Sequence, residues 1–255
     1  MAYSEKIVIS VGGSLIVPKK GIDTKFLSNL NRFIRNQLAR SASVRPVRDS
    51  QGKQTQNKGS GQAPTRQFFL IAGGGSIARD YRDAGKEVVR HELTPDDLDW
   101  LGIHTTRLNA HLLRTIFRDI AHPFILKHFD IIRKPVEPVV VAAGWKPGAS
   151  TDFDAVLICE DYNVRKIINL SNIEKVYDKD PKKHKDAKPI DKISWQDFRK
   201  LVGDKWIPGM NAPFDPVAAK KAEVLGIKVA VLSGHDFKNI ENYLHGKDFV
   251  GTVIE

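Results

Sequence analysis

Three glycine-rich turns, each directly after an apolar run, constrain the fold of this chain more than any other feature. The runs KIVISV, FFLIA and PVVVAAG lead into Gly12 to Ser14, into Gly73 to Ser76 and into the loop from Gly144 to Asp152. Short apolar runs favour buried strands, and clustered glycines mark sharp turns. A single such turn is most often a plain strand-to-helix connection. Three in one chain indicate loops whose backbone N–H groups surround phosphate oxygens.

Helical patterns alternate with the strands along the sequence. Apolar residues recur at helical spacing after Asp23 and after the capping-box pair Thr94 and Asp97, and Ser194 and Asp215 are placed to open two further helices. The runs KIINL and IKVAVLSG supply two more strands. This alternation predicts an α/β fold, a three-layer αβα sandwich around a mainly parallel central sheet. With 255 residues, we expect one domain that spans residues 1–255.

The composition limits the partners and the compartment. A net charge of +10 indicates anionic partners, and a polyphosphate satisfies that charge as well as a nucleic acid does. The single cysteine, Cys159, excludes an internal disulfide and is expected to be a buried thiol in a reducing compartment. No run approaches the ~18 apolar residues of a membrane span, and the N-terminus lacks the features of a signal peptide. We therefore expect a cytoplasmic protein with no membrane partner.

The segment 41–67 differs from the rest of the chain. It is rich in Gln, Ser and Gly and carries five basic residues against one acid, Asp49. Such a segment buries too little to offset its ordering entropy, so it predicts a disordered insertion. A nucleic-acid-binding arm is the alternative, although basic loops are more often simply solvated. A nucleic-acid partner is therefore not expected.

Several common sites are missing from the sequence. It contains neither G-x-x-x-x-G-K-[ST] nor G-x-G-x-x-G, which excludes the usual P-loop and the usual dinucleotide fingerprint. It also lacks a nucleophile elbow and a pair of histidines at metal-ligand spacing on one helix. The glycine turns therefore remain the main indication of chemistry, and we expect no metal site built from the protein alone.

Five blocks of the sequence resemble a known family. VGGSL, AGGGSIARDY, DWLGIHTTRLNAHLL, GWKPGASTDFDAV and NIEKVYDKDP are similar, in this order, to blocks of the UMP kinases of the amino acid kinase superfamily, and most of all to the archaeal type. The motifs at Asp99 to Ile103 and Arg107 to Ala110 favour UMP kinases over the carbamate, glutamate, acetylglutamate and isopentenyl phosphate kinases. The resemblance implies transfer of the ATP γ-phosphoryl to UMP, with Mg²⁺ carried by ATP. It also implies an acceptor lobe at about 1–165, a nucleotide lobe at about 166–255, and a homohexamer.

The resemblance further implies which residues bind each substrate. The ATP-binding positions are Gly12, Gly13, Ser14, Gly75, Arg79, Ser171, Asn172, Tyr177 and Asp180. The UMP-binding positions are Gly74, Asp99, Trp145, Lys146, Pro147, Gly148, Ala149, Ser150 and Thr151. The catalytic positions are Asp152, Ser14 and Lys146. For several of these the plainer alternatives stay open: a solvated helical arginine at 79, a helix-start acid at 99 and an N-cap at 152.

Two positions depart from the family pattern. Ser10 stands where members often carry a lysine, so Lys146 or Lys220 would have to supply the missing charge. Lys175 stands where a glycine is common, which predicts a different turn around the nucleotide base. Two other readings therefore stay open: a superfamily kinase for another small acid or phosphate, and a non-catalytic nucleotide- or RNA-binding regulator.

Overall fold

The computed structural model of the chain describes residues 3–42, 65–181, 183–203, 205 and 212–255. The strands in these ranges are β1 (Glu5–Val11), β2 (Arg66–Ala72), β3 (Val139–Ala142), β4 (Lys166–Ser171), β5 (Val176–Tyr177), β6 (Pro189–Ile190), β7 (Lys192–Ile193), β8 (Lys228–Ser233) and β9 (Thr252–Ile254). The helices are α1 (Gly13–Ile16), α2 (Thr24–Ala42), α3 (Gly75–Val88), α4 (Pro95–Ile116), α5 (Thr151–Asp161), α6 (Trp195–Val202), α7 (Pro216–Val224) and α8 (Phe237–Leu244).

The main sheet is mostly parallel, as predicted. Its strands lie in the order β3-β2-β1-β4-β8-β9-β7, and the first five are all parallel. Strand β9 runs antiparallel to β8, and β7 pairs with β9 in parallel. The five parallel strands end at one edge of the sheet, which is where open α/β sheets bind ligands.

Alternating side chains cover both faces of the sheet. Ile7 and Ile9 pack with residues of α2, α4 and α8, whereas Val8 packs on the opposite face with residues of α5, α6 and α7. Every residue of β2 is buried, as expected for a strand covered on both sides. The predicted three-layer αβα sandwich is confirmed.

Local signals place the helix starts. Thr94 and Asp97 form the predicted capping box of α4, and Ser194 and Asp215 accept hydrogen bonds from the first turns of α6 and α7. Asp23 Oδ1 accepts a hydrogen bond from the N–H of Phe26 at 2.8 Å, in the first turn of α2. The strands β5, β6, β7 and β9 have two or three residues each and were not predicted. So few residues cannot show the alternation of apolar and polar side chains that indicates a strand.

The predicted insertion 41–67 is wrong at both of its ends, and its middle lies outside the described residues. Helix α2 continues to Ala42, and β2 already begins at Arg66. Arg66 and Gln67 are buried, and Arg66 donates to Oε2 of Glu5 at 2.7 Å and to Oε1 of Gln37 at 2.6 Å. Gln67 Nε2 donates to the carbonyl oxygens of Pro135 and Glu137. Both side chains can therefore be buried in the sheet with their hydrogen bonds satisfied.

Three other expectations concern the chain as a whole. Cys159 is buried, as predicted, and burial raises the pKa of its thiol. In the part of the chain that the structure describes, no helix combines the length and the apolarity that a membrane span requires. The division into two lobes near residue 165 stays a prediction, because a single sheet runs through both parts.

Candidate active site

The first two glycine turns touch each other through their backbones. Strands β1 and β2 pair in register up to Val11 and Ala72, and the turns follow at once. A Cβ atom added to Gly13 would lie 2.0 Å from the nitrogen of Gly75 and 2.6 Å from the carbonyl carbon of Gly73. Gly75 has φ of +75°, and a side chain there would meet the oxygen of Gly13 at 2.6 Å. Glycine is therefore required by close approach at 13 and by both approach and backbone conformation at 75.

All three turns line one cleft at the carboxyl edge of the sheet. Its volume is about 770 Å³, which is in the range of small-molecule sites. Residues one or two positions beyond the ends of β1, β2, β3, β4 and β8 line it. Among the predicted positions, those that line the cleft are Gly13, Ser14, Gly74, Gly75, Arg79, Asp99, Ala149, Ser150, Thr151 and Asn172.

The other predicted positions lie around the cleft and not on its wall. Gly12 continues the ladder, since its N–H donates to Leu170 O at 2.9 Å. Lys146 is exposed, and its ammonium lies 4.0 Å from the centroid of the Trp145 ring. The remaining predicted positions that do not line the cleft are Trp145, Pro147, Gly148, Asp152, Ser171, Tyr177 and Asp180.

Helix α4 holds the acceptor-side loops in place. Near its start, Oδ2 of Asp99 accepts a hydrogen bond from the N–H of Gly148 at 2.9 Å. Further along, the hydroxyl of Thr106 accepts from the N–H of Gly144 at 2.9 Å.

The second half of the α4 motif acts on backbone carbonyls. Arg107 donates to the carbonyl oxygens of Gly144, at 3.2 Å, and of Trp145, at 2.8 Å. Asn109 Nδ2 donates to the carbonyl oxygens of Gly73, at 2.8 Å, and of Gly74, at 3.1 Å. One helix thus fixes two of the three glycine turns.

Opposing effects act on the pKa of Asp99. Burial raises the pKa of its carboxyl, while the Gly148 N–H and the charge of Arg82 oppose the rise. Burial in turn lowers the pKa of Arg82, whose Nε donates to Leu98 O at 2.9 Å. A carboxylate with one oxygen engaged by the loop and a nearby guanidinium suits the recognition of hydroxyl groups on a ligand.

Among the described residues, three cationic side chains line the cleft, and sequence reasoning found only one of them. Arg79 was predicted, whereas Arg82, one helical turn further along α3, and Lys19 were missed. Lys19 follows Pro18, whose carbonyl accepts from the hydroxyl of Ser76 at 3.0 Å, so this turn is tied to the start of α3. The i, i+3 spacing of the two arginines places them on one face of a helix, so Arg82 could have been predicted from the sequence. No pattern in the sequence marked Lys19 as a site residue. Thr106 and His235 also line the cleft and were missed.

Three aspartates lie together behind the acceptor loop. Asp152 accepts from the hydroxyl of Ser10 and from the N–H of Asp215, both at 3.2 Å. Burial, and then the charge of Asp215, raise the pKa of Asp152 to about 7. Asp154 is fully buried; its Oδ2 accepts from the N–H of Trp145 at 3.2 Å, and burial raises its pKa well above the ordinary value. These carboxyls therefore hold protons far more readily than exposed ones.

The donor side is formed by the ends of β4 and β8. Asn172 and His235 line the cleft there, and the N–H of Gly234 donates to Ser171 O at 2.8 Å. Lys175, in the position where a glycine was expected, does not have positive φ and forms an ion pair with Asp191. The backbone at this position therefore does not require glycine.

Comparison with known proteins places the chain in a family. Residues 5–233 match the model of the amino acid kinase family. The chain is 37% identical to a uridylate kinase of Sulfurisphaera tokodaii over 73% of this chain and 82% of that protein. It is 31% identical to a uridylate kinase of Methanocorpusculum labreanum over 98% of this chain and 95% of that protein.

A solved structure agrees with this assignment. The crystal structure of the uridylate kinase from Archaeoglobus fulgidus superimposes with a TM-score of 0.75 at 28% identity, over 98% of this chain and 100% of that one. Each of the five blocks that carried the resemblance in the sequence contributes at least one residue to the wall of the cleft. The chain therefore belongs to the amino acid kinase family and, within it, to the archaeal-type uridylate kinases.

Proposed function

We propose that the protein transfers the γ-phosphoryl group of ATP to the phosphate of UMP, which gives UDP and ADP. The observation that carries this proposal is the backbone contact between Gly13 and Gly75 on the wall of a single cleft. The first turn is assigned to the donor, and in the second turn Gly75 is assigned to the donor and Gly74 to the acceptor. A Cβ atom on Gly13 would lie 2.0 Å from the nitrogen of Gly75 and 2.7 Å from that of Gly74, so the contact would hold the two phosphate groups next to each other. Proximity and alignment are the main requirements of phosphoryl transfer.

The acceptor is assigned to the side held by α4. Asp99 would accept hydrogen bonds from the ribose hydroxyls, and the turn at Gly74 would contact the phosphate. Ala149, Ser150 and Thr151 line the same side of the cleft and would surround the rest of the nucleotide. Hydrogen bonds of this kind reject analogues by leaving buried groups without partners.

The donor is assigned to the side formed by Gly13, Ser14, Asn172 and His235. Tyr177, in β5, and Asp180, which follows it, lie outside the cleft wall and are proposed to contact adenosine from there. Of the predicted ATP-binding positions from Ser171 to Asp180, Asn172 is the one that lines the cleft.

Catalysis would rest on the cancellation of charge. The phosphate of UMP is already an anion, so no general base is required, and negative charge develops on the oxygens of the transferred group. The cations placed at the cleft are Lys19, Arg79 and Arg82, and we assign them this task together with the amides of the glycine turns. Arginine suits it because its planar fork can bind two phosphate oxygens at once.

Magnesium is proposed to enter with ATP. In the described part of the chain, no three His, Cys, Asp or Glu side chains are grouped as metal ligands. The hydroxyl of Ser14, on the cleft wall, is an oxygen ligand of the kind that Mg²⁺ takes, and waters and phosphate oxygens would supply its other ligands. Bound there, Mg²⁺ would neutralise charge on the polyphosphate.

The direct test is a panel of acceptors assayed with ATP and magnesium. ADP release would be measured with UMP, CMP, glutamate and isopentenyl phosphate. We expect turnover with UMP at a kcat/KM at least a hundredfold above the others. Equal rates with CMP, or a rate only with a non-nucleotide acceptor, would contradict the proposal. Tight nucleotide binding without any turnover would contradict it as well.

The assembly and the cellular role are part of the same proposal. We infer a homohexamer that acts in pyrimidine nucleotide synthesis in the cytoplasm. Light scattering of the purified chain would measure the assembly, and a mass near six times that of the monomer is expected. A monomer at micromolar concentration would contradict the inferred hexamer but would leave the reaction untouched.

A further inference from the structure

An arginine of α3 lies in a slot on the surface of α4. Gly102 follows Asp99 by about one helical turn, and a Cβ atom added to Gly102 would lie 2.2 Å from Nη2 and 3.0 Å from Cζ of Arg82. Glycine is unfavourable inside a helix. Here its missing side chain leaves the room that the guanidinium occupies. The glycine between Asp99 and Ile103 therefore serves to seat Arg82.

The backbone of α4 holds the guanidinium next to Asp99. Arg82 Nε donates to the carbonyl oxygen of Leu98, the residue before Asp99, at 2.9 Å. In the part of the chain that the structure describes, no ion pair joins Arg82 to Asp99, and the carboxylate accepts one hydrogen bond, from the N–H of Gly148 to Oδ2. Both side chains line the catalytic cleft. With these partners, Oδ1 of Asp99 stays available to a ligand.

The charges that act on this pair come from both helices. On α3, Arg79 and Asp83 act on Arg82, and on α4, Asp96 acts on Asp99. Burial raises the pKa of Asp99, whereas the loop N–H and the charge of Arg82 lower it. A charged carboxylate accepts stronger hydrogen bonds than a neutral carboxyl group does. The guanidinium therefore favours the form of Asp99 that binds hydroxyl groups best.

We propose that Arg82 is a positioning residue for the acceptor, and that it acts through Asp99. Seated at Gly102, its guanidinium keeps the carboxylate of Asp99 ionised for the ribose hydroxyls. This role rests on the proposed transfer to UMP, and it adds to the charge cancellation that Arg82 shares with the other cations of the cleft. The two roles are separable, because charge cancellation acts on the phosphates and the positioning role acts on the sugar.

The test compares UMP with dUMP, which lacks the 2′-hydroxyl and is otherwise identical. The ratio of kcat/KM for the two acceptors isolates the sugar contact, because effects on the shared phosphate and base cancel. Asp152 titrates in the same range, with a pKa of about 7, but it faces Ser10 and Asp215. Its protonation is common to both acceptors and cancels in the ratio as well.

Three variants are compared with a control. Arg82→Gln removes the charge, Arg82→Lys keeps it, and Gly102→Ala places a methyl group in the slot and displaces the flexible end of the arginine. The control, Lys86→Gln, removes an exposed cation of the same helix that does not line the cleft. Thermal unfolding of each variant shows whether it is folded.

The ratio is measured as a function of pH. We expect the wild-type ratio to fall as the pH is lowered from about 8 to about 4, because the carboxylate of Asp99 becomes protonated. In Arg82→Gln the midpoint of this fall should lie at least about half a pH unit higher, since loss of a nearby cation raises the pKa of a carboxyl group. Gly102→Ala should shift the midpoint in the same direction, and Arg82→Lys should keep it near that of the wild type.

The opposite results are equally clear. The proposal is overturned if Arg82→Gln and Gly102→Ala have the same midpoint as Lys86→Gln. It is also overturned if both variants lose the same factor with UMP and dUMP at every pH, which would show that Arg82 acts on the phosphate alone. A wild type that does not phosphorylate UMP would overturn the proposed function and this role with it. A wild type that turns over UMP, with unshifted variants, overturns the role of Arg82 alone.

Discussion

The hydroxyl of Ser10 donates a hydrogen bond to Oδ1 of Asp152 across 3.2 Å. Ser10 occupies the position where a lysine was expected from the family pattern. A hydroxyl supplies a hydrogen bond but no charge, so Ser10 does not balance the charge of the nearby Asp215. Burial and that neighbouring carboxylate together raise the pKa of Asp152 to about 7. With a serine at position 10 in place of a lysine, the carboxyl of Asp152 therefore has a pKa near neutrality.

The first prediction concerns stability and pH. An acid with a higher pKa in the folded protein binds its proton more readily there, so folding favours the protonated form. The contribution of Asp152 is therefore full below its ordinary pKa of 3.8 and is lost as pH rises towards about 7. We expect Asp152→Asn to flatten the loss of stability between pH 4 and pH 7 and to raise the melting temperature at pH 8. Thermal unfolding across this pH range measures both effects.

The same variant separates stability from activity. Because Asp152 is one of the predicted catalytic positions, Asp152→Asn should lower kcat at least tenfold while the fold becomes more stable. A variant that is less stable than the wild type at pH 8 would show that the carboxylate is well solvated or paired, against the environment described here. Ser10→Ala is a milder companion: it removes one hydrogen bond that lowers the pKa of Asp152, so the titration should move upward.

The second prediction concerns recognition of the acceptor. Asp99→Ala removes the carboxylate assigned to ribose and also releases Gly148. We expect the KM for UMP to rise by about tenfold or more, as for the loss of a charged hydrogen bond, with little change in the KM for ATP. Asp96→Ala is the matched control, since Asp96 lies one turn earlier in α4 and is exposed. Equal losses for both substrates would contradict the acceptor assignment.

The third prediction identifies the cation that serves in the absence of a lysine at position 10. Lys19 lines the cleft, whereas Lys20 beside it does not. We expect Lys19→Ala to lower kcat roughly tenfold, less than for a buried charge because Lys19 is exposed, and Lys20→Ala to leave kcat unchanged. Steady-state kinetics at two salt concentrations measures the effect, which should shrink at high salt.

Lys146→Ala decides between the two lysines. The ammonium of Lys146 lies over Trp145, outside the cleft wall. If kcat falls more in Lys146→Ala than in Lys19→Ala, the loop must close further on its substrates and the catalytic role first expected for Lys146 is right. If only Lys19→Ala is impaired, the cation comes from the turn after α1.

The fourth prediction concerns the contact between the two turns. In Gly13→Ala the new methyl group would meet backbone atoms of Gly73 and Gly75, which cannot move aside as a side chain does. We expect a loss of roughly 3 kcal/mol in the free energy of unfolding and no measurable nucleotide binding. Gly85→Ala is the control: its methyl group would meet leucine side chains at 3.6 Å, and it should stabilise α3 by about 0.5 kcal/mol or more. Chemical denaturation of both variants gives the comparison.

Most of the fold was predictable because its signals are local. Strands β1, β2, β4 and β8 are apolar runs, and the starts of α4, α6 and α7 carry their own capping residues, so each could be read without knowledge of its neighbours. The boundary at Arg66 could not be read in this way. A buried arginine looks like part of a polar loop until Glu5 and Gln37 are known to lie beside it, and both are distant in sequence.

The site was predictable only in part for the same reason. The glycine turns are marked in the sequence, and the resemblance named Asp99 and Arg79. The pairing of Asp99 with Gly148 joins residues 49 positions apart, and the pairing of Asn109 with Gly73 joins residues 36 apart. No pattern in a single sequence reveals such partners. Lys19 was missed because a lysine in a polar turn acquires meaning only when the turn is seen at the mouth of the cleft.

Asp99, Thr106, Arg107 and Asn109 all belong to helix α4. Their hydrogen bonds anchor the loops that follow β2 and β3. A single residue inserted between Asp99 and Thr106 would rotate every later side chain by about 100° and detach the anchors at Gly144 and Gly73 together. Substitution can therefore tune this enzyme one contact at a time, whereas any change of length within this stretch breaks the acceptor side as a whole. Descendants of the chain should differ here in residue type and never in spacing.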